Sequence, residues 1–151
     1  MHAAMQESMA SPREASSVRG SEGTEVELVE RVIRAVGVLN IDEAERWLAD
    51  EFVLELPYRG GGYPTVLAGR DARAFMRLLP KLFSRMDFTS ISVHGPTTSG
   101  LIAAEYESNG LTRAGRPYLN RYAAFFEVGQ GRVTRWREYF NPEVLAAAGL
   151  G

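Results

Sequence analysis

The chain has 151 residues, of which 45% are hydrophobic and 24% are charged, a composition typical of one globular domain and not of a collagen, a coiled coil or a disordered chain. It contains no cysteine, which excludes disulfides, thiolate nucleophiles and cysteine zinc sites. The formal net charge of −2 argues against nucleic-acid binding, which favours a basic surface, so the expected partner is a small molecule.

The first 23 residues are rich in Ser, Ala, Glu and Gly and contain no long apolar run. This composition indicates a disordered tail over 1–23 and not a signal peptide. The whole chain also has no run of about 18 apolar residues, the length that a membrane helix needs. We therefore expect one folded domain over 24–151, a cytoplasmic location and no membrane partner.

Two helices are predicted at the start of this domain. Thr24 as N-cap and Glu27 three residues later form a capping-box pattern, and apolar residues at helical spacing continue to about Leu39. A second, shorter helix is predicted from Asp42, as its cap, to Leu48.

A strand and a third helix follow. Residues 52–56 are apolar and extended in pattern, and Pro57 ends the strand. The glycine-rich segment 58–65 is expected to be an exposed, mobile loop, of the kind that often covers a pocket. A third helix opens at 69–71, with an apolar stripe that runs to about Phe83.

Beyond Met86 the hydrophobic period changes from 3.6 to 2, which predicts an antiparallel meander with turns at Gly and Pro residues. Its four strands cover 87–94, 101–111, 118–128 and 132–140. A short helix capped near Asn141 ends the chain. The predicted fold class is α+β, in which a curved antiparallel sheet wraps around the N-terminal helices as a cone-shaped α+β barrel with a cavity between them.

Several runs, together with this order of elements, resemble one protein family. They are Leu56-Pro57-Tyr58, Pro64, Gly69-Arg70-Asp71-Ala72 and the closing run 131–142, GRVTRWREYFNP. They look like the SnoaL-like branch of the nuclear-transport-factor-2-like superfamily, which includes polyketide cyclases, limonene-type epoxide hydrolases, ketosteroid isomerases and phenazine-biosynthesis proteins. The resemblance spans about Thr24 to the C-terminus. It implies the fold and not one reaction, because this fold carries many chemistries.

The resemblance to the limonene-type hydrolases is strongest in the last strand. Their Trp-Arg-Asp-Tyr-Phe run matches 136–140 and implies that one catalytic aspartate corresponds to Glu138 and the other to Glu107. Their bridging arginine corresponds to Glu105, and their water-orienting tyrosine and asparagine correspond to Val53 and Glu55, so these three positions have changed type. Their mechanism therefore does not transfer as a whole.

The catalytic residues of the other relatives are only partly present in this chain. The catalytic aspartate of the ketosteroid isomerases corresponds to Leu56, so that base is absent here. The phenazine-biosynthesis proteins resemble the chain at 56–72 and in the Glu-x-Phe-Asn-Pro ending, but the histidine of their third helix has no equivalent between Arg70 and Phe83. Their acid role for the last-strand glutamate remains open for Glu138.

Residues two apart on a strand share a face, and this places the candidate residues in three sets. The sets are Glu105, Glu107 and Asn109; Tyr118, Asn120 and Tyr122; and Trp136, Glu138 and Phe140. If these faces point inward, desolvation raises the pKa of Glu138, and a second carboxylate raises one of the pair further. The alternative is that the charged faces are the solvated outside of the sheet.

We expect Glu138 to be the leading acid or base and Glu107 to be its partner. The expected substrate-binding residues are Glu105, Asn109, Asn120, Tyr122, Trp136, Phe140 and Tyr58. The two asparagines could instead hydrogen-bond the backbone. An inward glutamate needs a partner because unpaired buried charge is destabilising, and Arg59 or Arg70 could supply it.

These expectations describe a small enzyme that acts by general acid/base catalysis on a hydrophobic small molecule, of cyclase, epoxide hydrolase, dehydratase or isomerase type. The alternative is a non-catalytic ligand-binding or dimerisation module. We expect no metal, because His2 and His94 cannot form a triad, and no cofactor, because the glycines at 60–62 do not form a phosphate loop. The resemblance implies a homodimer, with contacts from Tyr106, Phe125 or Tyr139.

Overall fold

The computed structural model describes residues 12–150 of the chain, with side-chain surroundings from residue 23 onward. In chain order the elements are α1 (Pro12–Gly37), α2 (Ile41–Glu45), β1 (Leu48–Glu55), β2 (Val66–Ala68), α3 (Arg70–Leu82), β3 (Phe83–His94), β4 (Ile102–Thr112), β5 (Pro117–Gly129), β6 (Arg132–Phe140) and α4 (Pro142–Ala147). Within 12–150, none of the helices combines the length and the apolar character of a membrane span. The cytoplasmic location stays a prediction.

The strands form one open sheet in the order β2-β1-β6-β5-β4-β3. Strands β3 to β6 are the predicted antiparallel meander, and β1 joins β6 in parallel. The helix α1 packs against β3, β4 and β6, and the side chains of Val29, Val32 and Ile33 are fully buried in the core. The predicted α+β class, a curved sheet around N-terminal helices, is confirmed.

Both predicted helix starts in the N-terminal part are wrong. The helix α1 begins at Pro12, so Thr24 lies inside it and does not cap it. Polar composition did not exclude a helix there, because Arg, Glu and Ala are good helix formers. Asn40, not Asp42, caps α2, since its side-chain oxygen accepts a hydrogen bond from the Glu43 backbone N–H at 3.3 Å.

The boundary between a disordered tail over 1–23 and a domain over 24–151 stays a prediction, and residues 1–11 and 151 lie outside the described part. The segment 58–65 is largely exposed, as predicted. After it comes the short strand β2, which was not predicted because three residues are too few to show a period of 2.

A close contact between α1 and β3 sets how tightly the helix lies on the sheet. A Cβ added at Gly37 would lie 2.7 Å from the Cβ of Phe88, which is closer than van der Waals contact. Phe88 in turn packs against the rings of Tyr106 and Tyr122, at centroid distances of 4.9 and 5.4 Å. Gly37 is therefore the residue that lets the helix approach this aromatic cluster.

We expect Gly37→Ala to lower the free energy of unfolding by about 1–3 kcal/mol, because the methyl group overpacks the contact with Phe88. The measurement is urea denaturation followed by circular dichroism. Gly23→Ala is the matched control, since a Cβ at Gly23, in the same helix, meets nothing within 4 Å. Equal stability of the two variants would contradict the expectation.

Candidate active site

The inner face of the sheet carries a set of polar and aromatic side chains. Alternation along β4, β5 and β6 places on this face Tyr106, Ser108, Tyr118, Asn120, Tyr122, Trp136, Glu138 and Phe140. Between this face, α1, α3 and the C-terminal residues lies a cavity of about 450 Å³. Its lining is mainly aliphatic and aromatic, which suits a hydrophobic ligand.

Glu138 is the acidic side chain in this lining, among the residues that the structure describes. The residue is half-buried, and the lining around it is mainly aliphatic and aromatic. This burial raises the pKa of Glu138 to about 7. A hydrogen bond that the Tyr106 hydroxyl donates to Oε2 opposes the shift by favouring the charged form.

The contact between Tyr106 and Glu138 crosses the intervening strand β5. In the register of the sheet, Ala104 pairs with Ala124, and Ala124 pairs with Glu138. The two alanines fill little space beside the carboxyl group, and the Tyr106 ring stacks on Tyr122 with centroids 5.0 Å apart. Because the paired alanines are small and the Tyr106 ring stacks on Tyr122, the Tyr106 hydroxyl of β4 can reach Glu138 of β6 across β5.

Trp136 supplies a second polar atom beside the carboxyl group. Its indole N–H lies near enough to Glu138 to lower the pKa of the carboxyl, but it makes no hydrogen bond of good geometry and is buried without a partner among the described residues. Trp136 also lines the cavity, but its indole nitrogen is covered by the surrounding protein, so this donor lies beside the carboxyl group and not in the open space.

Two tyrosines and two asparagines form a hydrogen-bond network next to the cavity. The Tyr122 hydroxyl lies 2.9 Å from the Tyr118 hydroxyl and 3.0 Å from Oγ of Ser108. Asn120 Nδ2 donates to the Tyr118 hydroxyl and to the Asn141 carbonyl, each at 3.0 Å, and Asn141 N–H donates back to Asn120 Oδ1 at 3.2 Å. Asn141 caps α4, so this network attaches α4 to the sheet.

Burial also raises the pKa of the three inner tyrosines, Tyr106, Tyr118 and Tyr122, and the nearby Glu138 carboxylate adds to the rise. They therefore stay protonated at neutral pH and act as hydrogen-bond donors, not as bases. Among the side chains that the structure describes, from residue 23 onward, no three His, Asp or Glu groups lie together as metal ligands.

The predicted orientation of β4 is wrong. Glu105 and Asn109 are exposed on the outer face, and Glu107 is half-exposed there, with Oε1 3.4 Å from Nε of Arg121. Glu107 and Glu138 therefore do not meet inside the cavity. The error has a physical reason: the small and apolar residues of β4 alternate with the glutamates, and it is the uncharged set that is buried.

The structure brings four predicted residues together in the cavity lining: Tyr122, Trp136, Glu138 and Phe140. Asn120 lies on the inner face, but its amide is engaged with Tyr118 and Asn141, as in the alternative of backbone bonding. Tyr58 is 55% exposed and its ring contacts that of Tyr139, with centroids 5.4 Å apart, so it lies outside the cavity.

Sequence reasoning missed Tyr106 as a site residue and assigned it to the outer face. The signal that could have found it is the alternation of Ile102, Ala104, Tyr106 and Ser108 with two glutamates. Neither Arg59 nor Arg70 pairs with a glutamate; among the described residues both lack an ion pair, and Arg59 lines the cavity.

Comparison with protein families gives a direct assignment. The model of the SnoaL-like domain matches residues 29–136, more than half of the chain. The chain belongs to the SnoaL-like domain family. The uncharacterized protein YesE of Bacillus subtilis (strain 168) is 32% identical to this SnoaL-like chain over 98 residues, which are 64% of the chain and 67% of YesE.

Solved structures share the fold of this SnoaL-like domain. A proposed isomerase from Bacillus subtilis has a TM-score of 0.77 at 24% identity, covering 85% of this chain and 95% of that one. A proposed polyketide cyclase from Xanthomonas campestris pv. campestris has a TM-score of 0.70 at 23% identity, with 83% and 96% covered. An LEH-like epoxide hydrolase from M. tuberculosis has a TM-score of 0.60 at 20% identity, with 85% and 90% covered. Solved structures of NTF2-like proteins match as well, so the fold is the nuclear-transport-factor-2-like fold.

Proposed function

We propose that this SnoaL-like protein is an enzyme that acts on a hydrophobic small molecule, with Glu138 as general base and general acid. The observation that carries the proposal is a carboxyl group with a pKa of about 7 in the wall of an apolar cavity. An ordinary glutamate, with a pKa near 4.3, is a weak base at neutral pH. Glu138 is a stronger base there, and it also holds a proton for part of the time.

The presence of one carboxyl group in the lining favours isomerase or cyclase chemistry. In such a reaction the carboxylate removes a C–H proton next to a carbonyl group, which leaves an enolate. The carboxylic acid then returns the proton, to another carbon in an isomerisation or to the alkoxide formed when the enolate carbon attacks a second carbonyl. Epoxide opening by two acids needs a second carboxyl, and Glu107 lies on the outer face.

The neighbours of Glu138 fit this role. Tyr106 holds one carboxyl oxygen and so fixes the orientation of the group. The indole N–H of Trp136 lies beside the same carboxyl group and favours its charged form, which is the form that acts as a base. Both groups are uncharged hydrogen-bond donors, so they favour the carboxylate form of Glu138 without competing for the proton.

The test is a panel of β,γ-unsaturated ketones and poly-β-ketones, assayed for double-bond migration and ring closure between pH 5.5 and 9. We expect kcat/KM to rise with pH and level off above an apparent pKa of about 7, because the base must be ionised in the free enzyme. Binding of these compounds without turnover would favour the alternative, a ligand-binding module of the same fold.

The homodimer also remains part of the proposal. Tyr106, one of the predicted contact residues, is buried on the inner face. Phe125 and Tyr139 are half-buried on the outer face, where their rings lie 6.1 Å apart and the Arg137 guanidinium lies 5.3 Å from the Phe125 ring. A monomeric mass in light scattering would contradict the dimer.

A further inference from the structure

Besides Glu138, the cavity lining contains an arginine, Arg59, which lies in the exposed loop 58–65. Arg59 lines the cavity together with Gly60 and Tyr63 of the same loop and Phe75 of α3. Tyr63 and the α3 residues Leu78 and Leu82 are exposed members of the lining, so this side is where the cavity opens to solvent.

The charge of Arg59 is not neutralised by any side chain that the structure describes. Among the described residues, no carboxylate lies within 4.0 Å of its guanidinium. Its carbon Cζ lies 4.7 Å from the centre of the Tyr63 ring and 4.9 Å from that of Phe75. The two rings contact the flat face of the guanidinium, so the N–H groups at its edge can still bind other partners.

Most of the N–H donors of Arg59 have no partner within the described part of the chain. One of the five, on Nη1, is bonded to the Pro64 carbonyl at 3.2 Å. The next residue, Gly60, leaves open space, since a Cβ there would meet nothing within 4 Å. An arginine held at an opening, with free donors and room beside it, is suited to bind a planar carboxylate through two hydrogen bonds.

We infer that Arg59 is an anion-binding subsite and that the ligand is a hydrophobic carboxylate. The carboxylate binds the guanidinium at the opening, and the apolar part extends along the cavity toward Glu138. Below pH 7 the cavity holds this cation and a neutral acid, so its charge is complementary to an anion. The inference rests on the proposed function, because it names the substrate class of the same cavity.

The test compares the carboxylates 2-naphthylacetate and 4-phenylbutyrate with their amides by isothermal titration calorimetry. We choose pH 6, where the carboxylates are ionised and Glu138 is largely neutral. The wild type is expected to bind at least one carboxylate about tenfold more tightly than its amide, the size of one charge-assisted bond. Arg59→Gln should remove this preference, and Arg59→Lys should keep part of it.

Arg70→Gln is the matched control, because Arg70 is also without an ion pair among the described residues but does not line the cavity. This variant should keep the full preference. Equal binding of acid and amide by the wild type, a preference that survives in Arg59→Gln, or no binding of either acid would overturn the inference. Loss of the preference in Arg59→Gln, together with no turnover of the ketone panel by the wild type, would support the subsite and contradict the proposed enzyme. Turnover of the ketone panel with no preference for the acids would do the reverse, so the two failures are distinguishable.

Discussion

Glu138→Gln is expected to reduce kcat/KM by about 10²- to 10⁴-fold, the usual contribution of a general acid/base group. Glutamine keeps the size of the side chain and can still accept a hydrogen bond from Tyr106, but it cannot take up or return a proton. The measurement is kcat/KM for the best substrate of the ketone panel, at pH 8, where the wild-type carboxyl is largely ionised.

Glu107→Gln is the matched control for this loss. It removes the same charge from the same sheet, at a half-exposed position of the outer face whose ion pair with Arg121 is largely solvated. We expect this variant to keep wild-type kcat/KM within about twofold. A similar loss in both variants, or full activity of Glu138→Gln, would remove Glu138 from the mechanism.

The second large effect is on stability, and it depends on pH. Glu138→Gln should be more stable than the wild type at pH 8.5, by up to about 3 kcal/mol, and equally stable near pH 4. The pKa of Glu138 in the folded protein, about 7, lies above the ordinary value of a solvated glutamate, 4.5. The stability associated with the neutral carboxyl is therefore fully present below pH 4.5 and is lost as the pH rises through 7. Glutamine mimics the neutral form at every pH.

The measurement is urea unfolding of the wild type, Glu138→Gln and Glu107→Gln at several pH values from 4 to 8.5. The difference between the wild type and Glu138→Gln isolates this one group from the titration of the rest of the chain. Parallel stability curves for these two proteins would show that the carboxyl is solvated when the protein is folded.

Much of the fold could be predicted from local pattern. The change of hydrophobic period beyond Met86 predicts the four meander strands, and the Asn141-Pro142 pair predicts the start of α4. The start of α1 could not be predicted this way, because a capping-box pattern at Thr24 can also occur inside a helix. The strand β2 has three residues and pairs with β1, a tertiary contact that the local pattern does not show.

The candidate site could be predicted only in part. Alternation in β6 places Glu138 beside two aromatic residues, and the structure agrees. Glu107 was wrongly assigned as the partner of Glu138. The assignment followed the motif spacing of the relatives, whereas the alternation of residues within β4 would have placed Glu107 on the outer face. The contact of Tyr106 with Glu138 depends on the register of three strands and on the small size of Ala124, which no local pattern in the sequence reveals.

The attachment of α4 has a practical consequence. Leu145, Gly149 and Leu150 form part of the cavity wall, and the start of their helix is tied to the sheet through Asn120 and Asn141. Affinity tags or reporter proteins fused directly after this wall would crowd it and distort measured ligand affinities. Recombinant versions intended for screening are therefore better tagged at the opposite terminus.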